Sequence, residues 1–184
     1  MKPINNFENV QASTGEFNKP TAGGYCIEIV AVKDVPMNAQ TGKGDYLVID
    51  YDIYYGDFKG YYTKQHERYG GDWFASFIRS YKESAAGMFK HFINCIEACN
   101  IGYKWDWNEQ SLVGKYLGVV LGEEEYEKKD GTVGVKLVVK DIKTVKQIYD
   151  GEFKIPERKK VQSSVTTSAS TLPPISGADD LPFI

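Results

Sequence analysis

Residues 45–69, DYLVIDYDIYYGDFKGYYTKQHERY, carry seven of the chain's thirteen tyrosines. The first half alternates: Leu47, Ile49, Tyr51, Ile53 and Tyr55 point one way, and Val48, Asp50, Asp52 and Tyr54 the other. A strand with one buried face imposes this period of two, because successive side chains leave its backbone on opposite sides. Gly56-Asp57 then predicts a turn, and 60–69 the returning strand. On that return Tyr62, Lys64, His66 and Arg68 share a face, a ring followed by cations. Flat rings beside positive charge suit a lone polynucleotide, whose unpaired bases stack and whose phosphates need neutralising. The same residues also suit a tyrosine-rich antiparallel pair whose lysines merely solvate an outer face.

Upstream, Gly23–Val35 predicts a first strand, with Tyr25, Ile27, Ile29 and Ala31 alternating against Cys26, Glu28, Val30 and Val32. Residues 36–44 form a loop. Downstream, Gly70-Gly71-Asp72 breaks the chain, with Asp72 as helix cap. Trp73, Phe74, Phe77, Ile78 and Tyr81 then fall on one face of a short helix. A second helix over 84–99 has the stripe Met88, Phe89, Phe92, Ile93 and Ile96, and leaves through Asn100-Ile101-Gly102. Residues 113–126 and 133–142 predict two more strands. They are joined at Lys129-Asp130-Gly131, a turn with positive φ at both central positions. Residues 144–150 form a short helix or an extension. The result is an all-β chain with a helical insert. Strand, strand, strand, helices, strand, strand is the order of the OB-fold, a five-stranded Greek-key barrel with its helix between strands 3 and 4.

The chain has 184 residues, 42% of them hydrophobic, with a net charge of −3. That fits one domain plus an appendage, and gives no global attraction to duplex phosphates. The charges are segregated, however. Lys59, Lys64, Arg68, Arg79 and Lys82 face only Glu67 and Asp72 over 59–82. Three cysteines make no even disulfide framework. The opening residues lack the apolar core of a signal peptide, and no apolar run reaches membrane-spanning length. A cytoplasmic protein without a membrane partner is expected.

Four segments follow. Residues 1–22 are an N-terminal arm, 23–155 the barrel domain, 156–178 a linker and 179–184 a tip. The linker includes VQSSVTTSASTLPPISGA, too poor in apolar and charged groups to offset chain entropy, and is expected to be disordered. Asp179, Asp180, Leu181, Pro182, Phe183 and Ile184 differ: two acids, then an apolar cluster that gains nothing in water.

Asp-Asp-Leu-Pro-Phe resembles the acidic tail of bacterial single-stranded-DNA-binding proteins, in which an OB-fold holds DNA and the tail docks replication, recombination and repair enzymes. Those tails end on the phenylalanine; here Ile184 follows. PINNFENVQASTGEF (3–17), GDWFASFIRSYKE (71–83) and VGKYLGVVLGEEEY (113–126) resemble small proteins from the replication modules of phages infecting Gram-positive bacteria. That family, long catalogued as a domain of unknown function, is regarded as phage single-stranded-DNA-binding proteins. The resemblance spans about residues 1–155. It implies the host cytoplasm, single-stranded DNA as ligand, and phage or host replication and recombination proteins as partners for 179–184.

Enzyme chemistry finds little purchase. Thr41-Gly-Lys-Gly44 approaches a phosphate loop, but Met37 stands where the first glycine belongs and Gly44 where a hydroxyl would bind magnesium. Asp50 and Asp52, with 123–125, offer acids for a metal-dependent nuclease but no base beside them. His91, Cys95 and Cys99 lie on one helix face, spread over roughly 12 Å, too wide for one zinc ion. No cofactor or metal is expected.

The expected function is non-enzymatic binding and protection of single-stranded DNA. Tyr54, Tyr62, Tyr69 and Trp73 are the stacking candidates. Lys59, Lys64, His66, Arg68, Arg79 and Lys82 would track phosphates, and Lys128 and Lys129 on the hairpin would close over the strand. Sequence preference is expected to be weak, since every base offers a ring face. A β-barrel adaptor without nucleic-acid affinity is the first alternative and the nuclease the second; self-association as a homodimer stays open.

Overall fold

A computed structural model describes Glu8 and residues 18–160. The linker beyond 160, the tip and most of the arm therefore lie outside the described residues. Five strands form one antiparallel sheet: β1 (Gly23–Val35), β2 (Tyr46–Ile53), β3 (Ser76–Ser80), β4 (Tyr116–Glu127) and β5 (Val133–Lys143), in the order β3-β2-β1-β4-β5. Three helices accompany it: α1 (Tyr61–Tyr69), α2 (Ala86–Cys99) and α3 (Val145–Tyr149). The sheet is open, because no ladder joins β3 to β5. Its two edges nevertheless approach one another, and α2 packs across both.

β1 keeps its expected bounds, and a bulge resets its phase. The register slips between Ile29 and Ala31, so Ile27 and Ile29 point inward before the bulge and Val32 after it. An extra residue on one strand inverts the alternation beyond it. β2 buries Leu47, Ile49, Tyr51 and Ile53 as expected and then ends.

The return strand over 60–69 is a helix instead. Tyr61, Tyr62, Gln65 and His66 turn toward the domain, a helical spacing, and the residues expected to alternate fit that period too. The deciding group is remote. Gly60 at the helix start supplies no cap. The Asp52 carboxylate does so from β2, accepting N–H bonds from Tyr62 and Thr63 at 3.0 Å each, and the Thr63 hydroxyl at 2.5 Å. Free N–H groups at a helix start need such acceptors. Asp52 is thus spent, which removes it from any metal pair with Asp50.

The third strand lies where a helix was expected. β3 pairs with β2, Phe77 against Ile49 and Ile78 against Val48. Phe77 is accordingly buried and Ile78 exposed. Asp72 caps nothing there. Five residues bonding to an open strand edge outweigh an apolar pattern that local spacing reads as helical.

α2 forms as expected, except that Met88 faces outward and Cys95 lies inside with Phe89, Phe92, Ile93 and Ile96. Asn100 ends it by bonding both Ile96 O at 2.7 Å and the Tyr116 backbone. The β4–β5 loop over 128–132 is wider than expected, and Gly131 alone takes a positive φ there. α3 carries a capping box between Thr144 and Gln147. It covers Gly118 so closely that a methyl group there would meet Thr144 O at 2.6 Å. Residues 156–160, expected in the linker, run along β4 through Lys159 and an Arg158–Glu123 ion pair.

Candidate nucleic-acid interface

Past Ile53 the chain leaves the sheet and crosses the surface as Tyr54–Gly60 before entering α1, and rings gather around this crossing. Tyr54 lies 4.5 Å from Tyr116, Tyr55 lies 5.8 Å from Tyr149, and the Tyr54 and Tyr55 rings are 6.3 Å apart. The Tyr55 and Tyr149 hydroxyls bond at 3.0 Å, which pushes the Tyr149 phenol upward from its ordinary value. Tyr55, Tyr116 and Tyr149 are exposed and Tyr54 is half-buried. Only Tyr54 was foreseen: strand alternation set Tyr55 on the face of Leu47 and Ile49, and Tyr116 and Tyr149 come from elements that the sequence does not place together.

A second group continues from the first. Phe58 stands 6.3 Å from both Tyr25 and Tyr61, and these three half-buried rings separate two clefts. One, of about 300 Å³, lies between them and the Tyr55–Tyr149 pair. The other, of about 230 Å³, runs from Tyr61 to Phe74 and Val135, with Lys19 and Lys136 in its walls. Beyond it Tyr69 is 61% and Phe74 50% exposed, edge to face at 6.5 Å. The Arg68 guanidinium sits 5.5 Å from the Tyr69 ring centre. A belt of rings thus runs from Tyr149 to Tyr69.

Exposed cations follow the belt: Lys59 in the crossing, Lys64 and Arg68 on α1, Lys19 before β1 and Lys136 on β5. Acids interrupt them: Lys136 pairs loosely with Glu124 at 3.9 Å, Asp57 and Glu67 are exposed beside the rings, and Glu123 is bonded by Arg158 at 2.6 Å. Such a surface can hold planar aromatic ligands and anions side by side. Lys128 and Lys129 are exposed at the hairpin tip, close along β4–β5 to cleft-lining Val135 and Lys136.

Several expected site residues belong elsewhere. Tyr62 is only 8% exposed and packs edge to face on Tyr51 at 5.6 Å. Burial pushes its phenol up to about 12, so it is a core residue without a free face. Trp73 is half-buried, its indole Nε1 donating to Tyr51 O at 2.9 Å. His66 packs against Trp73 with ring centres 5.3 Å apart, half-buried, with Nδ1 lacking a bond among the described residues. Arg79 lies on the inner face of β3, over Phe77 at 4.8 Å and Phe92 at 5.7 Å. Burial lowers its pKa, partly offset by Asp141 on β5. It plugs the space between the sheet edges instead of facing a ligand. Lys82 is exposed at the far end of β2, eight residues or roughly 25 Å from α1.

His91 Nε2 bonds Ile142 O at 2.9 Å and contacts Cys95 Sγ at 3.7 Å, while Cys99 Sγ accepts from Val145 N at 3.2 Å. Among the described residues no three such side chains converge as a metal site, and no helix is long and apolar enough to cross a membrane. No protein-family model matches this chain, and no curated protein is significantly similar to it in sequence.

Proposed function

We propose that this chain binds and protects single-stranded DNA through the ring belt between Tyr149 and Tyr69, without catalysing a reaction. The strand order and the approach of β3 to β5 fit an OB-fold barrel closed by side chains, among them Arg79, more than by a hydrogen-bonded ladder. The observation that carries the reading is the exposed Tyr69–Phe74 pair, flanked by Lys64, Arg68 and the cleft cations Lys19 and Lys136. Bases stack on such rings at about 1–3 kcal/mol each, and the cations neutralise the phosphates between them. Duplex DNA hides its base faces, so the belt discriminates by strandedness and only weakly by sequence.

The resemblance to phage replication-module proteins points the same way, toward a host-cytoplasm role in phage replication or recombination. On this reading 179–184 recruits replication or repair proteins, its aspartates meeting basic residues and its Phe183 entering an apolar pocket. The test is equilibrium binding of the full chain to oligothymidine and to duplex of equal length. Preference for the single strand by tenfold or more supports the proposal. Equal or absent binding would leave an adaptor. Divalent-metal-dependent degradation of the oligonucleotide would restore the nuclease.

A further inference from the structure

An apolar groove of about 510 Å³ lies away from the ring belt, between α2 and the connector leading to β4. Four rings follow one another along it: Tyr81 stands 5.6 Å from Phe89, Phe89 6.3 Å from Trp105, and Trp105 6.0 Å from Trp107. Successive planes are inclined by 48°, 61° and 55°, so the rings form walls and not a closed stack. Among the described residues no arginine or lysine lies over any of the four. Backbone strain falls on the same rim. Asp45 and Trp107 are the two non-glycine residues with positive φ among the described residues, at 66° and 63°. The Asp45 carbonyl accepts the Tyr81 N–H at 3.0 Å, and Trp107 is the outermost ring, 80% exposed. Such a backbone is uncommon for a bulky residue, and strain of this kind concentrates where ligands are held.

The two ends of the groove differ in charge. At the Tyr81 end, burial, a bond to the Asp34 carboxylate and the acids Glu109 and Asp45 push the Tyr81 phenol up to about 12. Glu83 and Asp106 stand beside the groove as well. Lys82 and Lys90 are exposed nearby, yet among the described residues neither pairs with an acid or covers a ring. At the other end Glu97 is bonded by the Trp105 N–H at 3.0 Å and by Lys104 at 2.9 Å, and is thereby satisfied. Ring faces attract cations, and a guanidinium best of all, because it is flat, weakly hydrated and able to reach a carboxylate while lying on a ring. The Tyr81 end therefore suits an arginine. The remaining length is apolar: Phe89 and Glu97 lie eight residues apart on α2, about 12 Å, which is four residues of extended chain. A small free cation would leave that length empty, whereas a peptide fills it.

We propose that this groove docks a partner protein through an extended segment that carries an arginine followed by aliphatic residues. The guanidinium lies against Tyr81, facing the carboxylates of Asp34, Asp45 and Glu109, and the aliphatic side chains lie among Phe89, Trp105 and Trp107. Burial of the apolar side chains supplies affinity, and the charge at one end fixes the direction of the segment. The same carboxylates repel phosphates, so the groove does not continue the ring belt. Docking here needs no nucleic acid and stands apart from the DNA-binding reading.

The experiment titrates the full chain, without DNA, with the peptide acetyl-Arg-Leu-Ala-Leu-amide and follows the indole N–H resonances of Trp105 and Trp107. Both are expected to shift and saturate. The peptide with glutamate in place of arginine should bind at least tenfold more weakly, and so should acetyl-arginine-amide alone. Trp107→Ala, a change at an exposed side chain that should leave the melting temperature unmoved, is expected to weaken the arginine peptide at least fivefold, read at Trp105. Asp34→Asn/Glu109→Gln should weaken it at least threefold while leaving a glutamine-for-arginine peptide unaffected. Unmoved resonances, or equal binding of the glutamate peptide, would overturn the proposal. Acetyl-arginine-amide binding as tightly as the peptide would overturn it by making the groove a small-cation site. Oligothymidine moving the same resonances would give the groove to nucleic acid, and a shift on dilution of the chain alone would give it to a second copy; either result also overturns the proposal.

Discussion

Asp52 Oδ1 accepts the Tyr62 N–H at 3.0 Å, so a carboxylate on β2 closes the first turn of α1. The bond ties the end of the sheet to the helix that carries Lys64, Arg68 and Tyr69. Replacement by alanine leaves several helix-start donors with no acceptor. Asp52→Ala is expected to lower stability by about 2 kcal/mol, at the upper end for helix caps because the site is buried. Urea denaturation measures it, and an unchanged midpoint would show that α1 needs no cap from β2.

Two tyrosines on α1 separate packing from binding. Tyr62→Ala opens a cavity against Tyr51 and should cost about 3–5 kcal/mol of stability. Tyr69→Ala removes an exposed ring and should stay within about 0.5 kcal/mol in stability, while costing about 1–3 kcal/mol in binding of oligothymidine. Calorimetric melting paired with fluorescence titration reads both. Weakened binding by Tyr62→Phe, with Tyr69→Ala silent, would reverse the two roles.

Salt dependence tells ligand-facing cations from buried ones. Each cation withdrawn from a phosphate should flatten the log–log slope of affinity against salt by about 0.7. Lys64→Gln and Arg68→Gln are each expected to do so. Arg79→Met is expected to leave the slope alone, because the guanidinium lies over Phe77 and Phe92 inside the domain. A flattened slope in Arg79→Met would place that side chain in the groove after all.

Alkaline pH should unfold the domain from within. Burial pushes the Cys95 thiol up to about 11 and the Tyr62 phenol up to about 12, and it raises Tyr51, Cys26 and Cys99 as well. Folded pKa values above unfolded ones mean that the native state holds these protons more tightly. Their contribution is full below about pH 8, starts to fall as unfolded thiols ionise around pH 8.5, and is lost progressively toward pH 12. Urea midpoints should therefore fall between pH 9 and 11, and less steeply in Tyr62→Phe. In the native state at pH 8, Cys95 should resist iodoacetamide. A flat midpoint across that range would contradict the burial of these groups.

The sequence by itself determined whatever depends on neighbours a few residues away. β1 kept its bounds, β2 buried Leu47, Ile49, Tyr51 and Ile53, α2 showed its 3.6-residue stripe, and the β4–β5 hairpin announced itself at Asp130-Gly131. Their apolar periods outlast any local ambiguity. The tertiary structure decided 60–80, where both periods fit the same residues. Residues 61–69 became a helix because Asp52, on β2 and about ten residues upstream, lay over its first turn, and 76–80 became a strand because β2 offered an open edge. The candidate interface divided along the same line. Lys64, Arg68 and Tyr69 were legible as exposed rings and charges. Tyr62 and Arg79 turned inward, and Tyr116, Tyr149, Phe74 and Lys136 joined the belt only through folding. Which side of an element meets water is set by what packs against the other side, and that partner is named by the fold and not by the neighbouring residues.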